Sequence, residues 1–182
     1  MEKHYTVQVQ QQVQDLVDDL KAVFTHAGLG GEAGEYKLLT QSFLYKFLND
    51  KFLYEALIVD NHYDYQGLLN LSEEDYDWFL DDIGTKTAHL KPEQLIESLH
   101  RQQNQADFAE IFEQTLNQIA IDNNAIFSVH TDGGTDIRLF DQRLITDTIS
   151  DASKRNEVAA SIINLLARVK FDQQIFSQGF DF

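Results

Sequence analysis

The sequence predicts a mainly α fold, namely a helical bundle of five to seven helices with one small β-hairpin. Apolar residues recur at spacings of three and four along most of the chain, which is the pattern of amphipathic helices. Only the segment around Asp132-Gly133-Gly134 changes to the alternation of strands, with residues typical of a hairpin turn. With 182 residues, of which 43% are hydrophobic, the chain can form one domain with a sizeable core.

A glycine-rich loop separates the first two predicted helices. The apolar spacing predicts a helix from about residue 7 to about residue 26, and the glycines from Gly28 to Gly34 end it. A second helix is predicted from Glu35 to Ile58, with apolar side chains on every side of its axis. Such a helix is either the centre of a bundle or packs one face on its own domain and another on a partner. Both interpretations remain open.

Local signals predict the remaining elements. Ser72 is expected to cap a helix that Gly84 ends, and Pro92 is expected in the first turn of the next helix. Further helices are predicted over about residues 108–121 and 153–170. The hairpin strands are predicted from alternating residues on either side of the turn: Phe127 and Val129, then Ile137 and Leu139.

The chain carries 14 Lys and Arg against 30 Asp and Glu, which gives a net charge of −16. A surface of this sign repels phosphate, and the basic residues are scattered, which argues against extensive direct DNA binding by this chain alone. The acidity suits a basic protein partner or a DNA mimic that inhibits nucleic-acid enzymes. Because the sequence has no cysteine, no long apolar run and no signal-peptide core, we expect a cytoplasmic protein without a membrane span.

Two sets of side chains are candidates for chemistry. Asp60, His62 and Asp64 have the types and spacing of metal ligands, but a second histidine would be needed, and a polar loop is the simpler interpretation. Asp132 and Asp136 flank the predicted turn, where acids commonly serve the turn geometry. No GxSxG, GxxxxGK[ST] or HExxH motif occurs. A binding or scaffolding module is therefore favoured, with a small stand-alone enzyme as a rival.

The stretch "GEYKLLTQSFLYKFLNDKF", from Gly34 to Phe52, resembles the signature helix of the modification subunits of type I restriction-modification systems, which are adenine-specific DNA methyltransferases. The later stretch "RLITDTISDASKRNEVAASIINLLARVKFD" is similar to the end of that family's N-terminal domain, just ahead of the catalytic domain. The resemblance runs from about residue 10 to the C-terminus, and from Asp60 to about Asn104 it is one of character only. The matching signature positions are Glu35, Tyr36, Lys37, Phe43, Leu44, Lys46, Phe47, Leu48, Asp50, Lys51 and Phe52.

This resemblance implies that residues 1–182 are a single N-terminal helical domain, a fragment that lacks the catalytic methyltransferase domain. The family binds S-adenosylmethionine through a glycine-containing loop and holds a flipped adenine with an Asn/Asp-Pro-Pro-aromatic motif. A chain whose single proline is Pro92 cannot contain that motif. We therefore expect no catalytic, cofactor-binding or metal residues in this fragment, and we assign S-adenosylmethionine and N6-adenine methylation to the full-length enzyme.

The role that the resemblance implies is assembly. The helical domain is expected to contact its own methyltransferase domain, the specificity subunit, a second modification subunit and the restriction subunit, with DNA bound only in the assembled complex. Tyr45 and Tyr54 are the preferred partner-facing residues, because a phenol tolerates water in the free domain and gives a large contact area when bound. The candidate interaction residues are Tyr36, Lys37, Tyr45, Lys46 and Tyr54.

Overall fold

The computed structural model describes residues 2–127, 139–171 and 174–177, and within these ranges the side chains from residue 9 onward, except those of residues 174 and 177. The predicted mainly α fold is confirmed, and no strand occurs in these ranges. The helices are α1 (Glu2–His26), α2 (Ala33–Val59), α3 (Tyr65–Leu69), α4 (Glu73–Ile83), α5 (Ile96–Gln102), α6 (Phe108–Asp122), α7 (Asn124–Phe127), α8 (Leu144–Thr148), α9 (Ala152–Arg168) and α10 (Gln174–Ser177), with a 3-10 turn at Pro92–Gln94.

The local signals place both ends of α4 as predicted, whereas the expectation for Pro92 is wrong. The Oγ atom of Ser72 accepts a hydrogen bond from the backbone N–H of Asp75 at 3.2 Å, so that Ser72 caps α4. Gly84 follows the last residue of α4 with a positive φ of 60°, a conformation that glycine adopts readily. Pro92 begins a separate 3-10 turn, where its missing N–H is not needed, and α5 starts only at Ile96.

The predicted hairpin lies mostly outside the described residues, because residues 128–138 contain its turn and most of both strands. At its edge the structure differs from the prediction, since Phe127 is the last residue of helix α7 and not part of a strand. The backbone N–H groups of Ile126 and Phe127 donate to the carbonyl of Asn123 at 3.0 and 3.1 Å. These hydrogen bonds extend the helical backbone beyond α6. The alternating sequence pattern therefore does not produce a strand at Phe127.

Helix α9 is the second organising element beside α2. It packs against α1, α5, α6 and α8, and its apolar stripe of Val158, Ile162, Ile163 and Leu166 is buried. The side chains of Leu16 and Leu20 from α1 and of Phe112 and Leu116 from α6 belong to the same core. Within the described residues, no helix combines the length and the apolar character that a membrane span requires.

Three asparagine side chains, of which Asn49 and Asn123 are buried, bond to backbone groups of neighbouring segments. Asn49 on α2 accepts a hydrogen bond from the backbone N–H of Ile96 at 2.9 Å. Asn123 accepts from the backbone N–H of His89 at 2.6 Å and donates to the His89 carbonyl at 2.8 Å. Asn156 accepts from the backbone N–H of Ala109 at 2.8 Å. These amides satisfy backbone groups that the helices leave unpaired.

Candidate interaction surface

The side chains that could suggest chemistry serve local structure. In the described residues, no group of three or more His, Asp or Glu side chains is arranged to hold a metal ion. The Asp60 carboxylate accepts hydrogen bonds from the backbone and the ring of His62, at 2.9 and 2.8 Å, and these bonds hold the pKa of Asp60 below its usual range. Asp64 instead caps α3 by accepting from the backbone N–H of Gly67 at 2.8 Å. A Cβ atom at Gly67 would lie 1.8 Å from the carbonyl oxygen of His62, so this turn requires glycine.

Helix α2 has a core face and an opposite face that is also apolar. On the core face, five apolar side chains are at most 4% exposed: Leu38, Tyr45, Leu48, Phe52 and Ala56. The opposite face, which we call the outer face of α2, consists of Tyr36, Phe43, Phe47, Tyr54 and Ile58. Their spacings of seven and four residues place them in one stripe along the helix, roughly opposite the core face. Phe43, Phe47 and Tyr54 are half-buried, whereas Tyr36 and Ile58 are 70% and 56% exposed.

The middle of the outer face is covered by residues that follow α9. The ring of Phe171 packs against Phe43 with centroids 5.9 Å apart. The ring of Phe176 contacts Phe47 and Tyr54 with centroid distances of 5.6 and 5.5 Å. Tyr54, a predicted partner-facing residue, is therefore already half-covered by the chain itself. Nothing in the local sequence of α2 indicates these contacts, which come from more than a hundred residues away.

One exposed end of the outer face is the Glu-Tyr-Lys turn near the start of α2. The Glu35 carboxylate accepts a hydrogen bond from the backbone N–H of Gly31 at 2.6 Å, and the Lys37 ammonium pairs with Asp141 at 2.9 Å. This pairing raises the pKa of Lys37 above its usual range. Tyr36 lies between the two and projects into solvent. Its neighbours thus fix the backbone of this turn while its ring stays free for contact.

Tyr45 does not lie on a surface, which corrects the expectation that it faces a partner. Its side chain has no exposed area, and its hydroxyl donates to the carbonyl oxygen of Gln94 at 2.6 Å. The ring packs edge-on against Phe112 with centroids 6.2 Å apart. Burial raises the pKa of the Tyr45 phenol well above its usual value. The hydroxyl that suggested tolerance of water is instead satisfied by a backbone group inside the core.

Lys46 is also buried. Its ammonium is 2.9 Å from the Asp50 carboxylate, and the two side chains are only 4% and 12% exposed. Burial lowers the pKa of Lys46, and the nearby Asp50 charge partly offsets this effect. The ammonium also lies 5.6 Å from the centroid of the Phe171 ring, and Asp50 accepts from the backbone N–H of Phe171 at 3.4 Å. The pair thus fastens the segment after α9 to α2.

Two cavities border the outer face of α2. One, of about 600 Å³, lies between α2, α3, α5 and the end of α9, and its wall includes Lys46, Asp50 and His100. The other, of about 340 Å³, is mainly apolar and lies between Phe43 and Phe47 of the outer face and residues 85–88. The outer face is therefore only partly buried, and both cavities leave room beside its aromatic rings.

Of the five predicted interaction residues, the structure brings two together. Lys46 and Tyr54 both contact the segment after α9, through Phe171 and Phe176 respectively. Tyr36 and Lys37 lie at the other end of α2, about 27 Å from Tyr54 at 1.5 Å per residue. The sequence carries no local signal for the roles of Asp141, Phe171 and Phe176, because each of them acts on α2 through a tertiary contact.

Comparison with models of protein families, with curated proteins and with solved structures found no match for this chain. The described residues are mainly α-helical, and helix α2 carries a second apolar face.

Proposed function

We propose that this chain is the N-terminal assembly domain of the modification subunit of a type I restriction-modification system. The observation that carries the proposal is the outer face of α2, which is the segment that resembles the family's signature helix. Five apolar side chains recur along this face, with Thr40, Asp50 and Lys51 between them, and Tyr36 and Ile58 at its two ends remain largely exposed. An amphipathic helix of a free-standing bundle needs only one apolar face, so the second face suits contact with another protein surface.

The Glu-Tyr-Lys turn supports a docking role in particular. Tyrosine is one of the residues that carry most binding energy in protein interfaces. The hydrogen bond of Glu35 and the ion pair of Lys37 hold the turn in place before a partner arrives. A contact residue on such a fixed support loses little conformational freedom on binding, which favours affinity.

In the proposed role, the outer face contacts the methyltransferase domain of its own subunit or one of the other subunits. The methyltransferase domain binds S-adenosylmethionine and the target adenine. The N-terminal helical domain helps to assemble the complex around DNA. The specificity subunit, a second modification subunit and the restriction subunit are the remaining partners. The alternative is an acidic protein-interaction module or DNA mimic, which the net charge of −16 favours.

The first test is the complete gene. We expect the reading frame to continue past Phe182 into a glycine-containing loop and an Asn/Asp-Pro-Pro-aromatic motif. Expression of that gene with its specificity subunit, in a host without adenine methyltransferases, should produce N6-methyladenine at one sequence motif. A complex that forms but leaves the host DNA unmethylated would overturn the assignment, and a stop codon directly after Phe182 would favour the alternative.

The second test concerns the outer face within the complete complex. We expect Tyr36→Ala or Ile58→Ala to weaken co-purification with the other subunits by roughly tenfold, as truncation of interface hot spots does. Ile121→Ala is the matched control, because Ile121 is 61% exposed on α6, away from this face. If all three variants assemble like the wild type, the outer face is not a docking surface, whatever the methylation test shows.

A further inference from the structure

Helix α4 exposes the only tryptophan of the chain. Trp78 is 68% exposed, although tryptophan is a large apolar residue. The buried side chains of α4 are Tyr76, Phe79 and Ile83, and the helical turn of 100° per residue places Trp78 away from all three. The ring is therefore not an edge of the core but the centre of the opposite, unpartnered face of α4.

Carboxylates surround this ring on the helix surface. Glu74 lies four residues before Trp78, and Asp81 and Asp82 lie three and four residues after it. Residues at these spacings are neighbours on a helix, about 5–6 Å apart between Cβ atoms. All three are exposed. An aromatic face bordered by carboxylates on both sides along the helix is thus offered to solvent.

In the described part of the chain, no carboxylate of this face forms an ion pair. The segment from Asn70 to Gly84 contains six acids and no Lys, Arg or His. None of the ion pairs in the described part of the chain involves an α4 carboxylate; the pairs formed by Asp50, Glu55, Asp60, Glu97, Asp122, Asp141 and Asp147 all lie on other elements. Asp75 is occupied by capping, because its carboxylate accepts from the Ser72 hydroxyl at 2.7 Å. Glu74, Asp81 and Asp82 keep their charge available to a partner.

We propose that this face of α4, centred on Trp78, binds an arginine-rich segment of a partner protein. The face of a tryptophan ring attracts cations more strongly than that of any other aromatic side chain, and Arg stacks on it while its guanidinium fork pairs with carboxylates. Lysine provides the charge but neither the planar stacking nor the fork. The arrangement therefore selects arginine, and it does not depend on the methyltransferase assignment.

The single tryptophan makes the test direct, because its fluorescence reports on this face alone. The probe is a short synthetic peptide in which arginine alternates with glycine and serine, titrated into the intact chain at low salt. Two matched peptides replace every arginine with lysine or with glutamate. We expect a saturable change in Trp78 fluorescence with the arginine peptide, binding about threefold or more weaker with the lysine peptide, and no response to the glutamate peptide.

Variants then locate the binding site. Asp81→Asn/Asp82→Asn should weaken binding of the arginine peptide about fivefold, because two flanking charges are lost. The control, Asp18→Asn/Asp19→Asn, removes the same charge from exposed positions on α1 and should change binding by less than about twofold. Trp78→Ala, followed by calorimetry, should weaken binding about threefold or more. All of these side chains are exposed, and urea melts should confirm that the variants fold.

Three results would overturn the proposal. The first is the absence of a saturable response to the arginine peptide at low salt. The second is equal binding of the arginine and lysine peptides, which would show simple charge attraction. The third is an equal loss of affinity in the α4 and α1 double variants, which would assign binding to the net charge of the whole chain and not to this face.

Discussion

Lys46 and Asp50 form an ion pair that is buried on α2, next to the ring of Phe171. Removing one member of a buried pair leaves the other charge without compensation, which commonly costs about 3–5 kcal/mol. We therefore expect Lys46→Met to lower the free energy of unfolding by about 3 kcal/mol or more. Urea denaturation of the chain measures this change.

The double variant Lys46→Met/Asp50→Leu is the control for this pair. It removes both charges and replaces them with apolar side chains, so it should be more stable than Lys46→Met alone. Equal stability of the single and double variants would show that the loss comes from packing around Lys46 and not from the uncompensated carboxylate.

The burial of two tyrosines affects how the free energy of unfolding changes at alkaline pH. Burial raises the pKa of both Tyr45 and Tyr76, and the charge of Glu93 adds to the effect on Tyr76. Above about pH 10 an unfolded chain loses its phenol protons while these two folded phenols keep theirs. Because the folded state then binds more protons, the free energy of unfolding falls as pH rises, by up to about 1.4 kcal/mol per pH unit for each tyrosine.

Lys46 acts in the opposite direction, since its lowered pKa makes the unfolded state bind more protons in the alkaline range. The Tyr76 contribution is isolated by comparing wild type with Tyr76→Phe in urea melts between about pH 9 and 11. We expect a shallower decline for Tyr76→Phe, and the wild-type slope for Tyr36→Phe, whose ring is exposed. Identical slopes for all three proteins would contradict the assigned burial of Tyr76.

At the level of elements, α2 and α8 meet so closely that a side chain at position 34 would force the Thr148 side chain to shift. A Cβ atom at Gly34 would lie 2.6 Å from the Cγ2 methyl of Thr148. Gly34→Ala has two opposing effects: alanine favours the helix by up to about 1 kcal/mol, whereas overpacking costs about 1–3 kcal/mol. We expect overpacking to dominate, with a net loss of about 1 kcal/mol.

A double-mutant cycle tests whether the contact between positions 34 and 148 causes this loss of stability. Thr148→Ala removes the methyl group that the new Cβ would meet, so adding it to Gly34→Ala should recover the loss and leave the gain in helix propensity. Additive effects of the two substitutions in urea melts would show that Gly34 and Thr148 do not touch.

The two faces of α2 should respond differently to truncation. Leu48 lies on the core face and is 4% exposed, so Leu48→Ala should lower the free energy of unfolding by about 2–5 kcal/mol. Ile58 is 56% exposed on the outer face, and Ile58→Ala should change the free energy of unfolding by less than about 0.5 kcal/mol. Comparable losses in urea melts would show that α2 is buried on all sides and would remove the basis for docking.

For the whole molecule, charge governs the interaction with DNA. At a net charge of −16, the chain should bind duplex DNA no more tightly than millimolar at physiological salt, because long-range attraction is replaced by repulsion. A mobility-shift titration at several salt concentrations measures this. A salt-sensitive shift at low micromolar protein would reveal a local basic surface strong enough to overcome the overall repulsion.

Much of the fold was predictable because its signals are local. Ser72 and Gly84 mark the ends of α4 through capping and a positive φ, and both act within one helical turn. The stripe of α6 likewise predicted a helix that runs from Phe108 to Asp122. Phe127 was misjudged because four residues of alternation do not distinguish a strand from a turn of helix that continues from α6.

The candidate surfaces were less predictable. Trp78 carried a signal, since a large apolar residue off the stripe of Tyr76, Phe79 and Ile83 is expected to be exposed. The sequence carried no signal for the burial of Lys46, because a lysine on a helix is usually solvated. Its burial involves Phe171, which is far away in sequence.

The sequence by itself determined that this protein is helical, where its longer helices lie, and that its surface is acidic. Periodicity and capping act over a few residues, and composition acts over the whole chain, so none of these signals depends on the tertiary fold. Only the tertiary structure decided which side of α2 is the core. A helix that is apolar all round has no pattern that marks one face, so burial depends on which distant segments cover it. Here Phe112 and Gln94 enclose Tyr45, and Phe171 covers Lys46, whereas Tyr36 and Ile58 remain exposed.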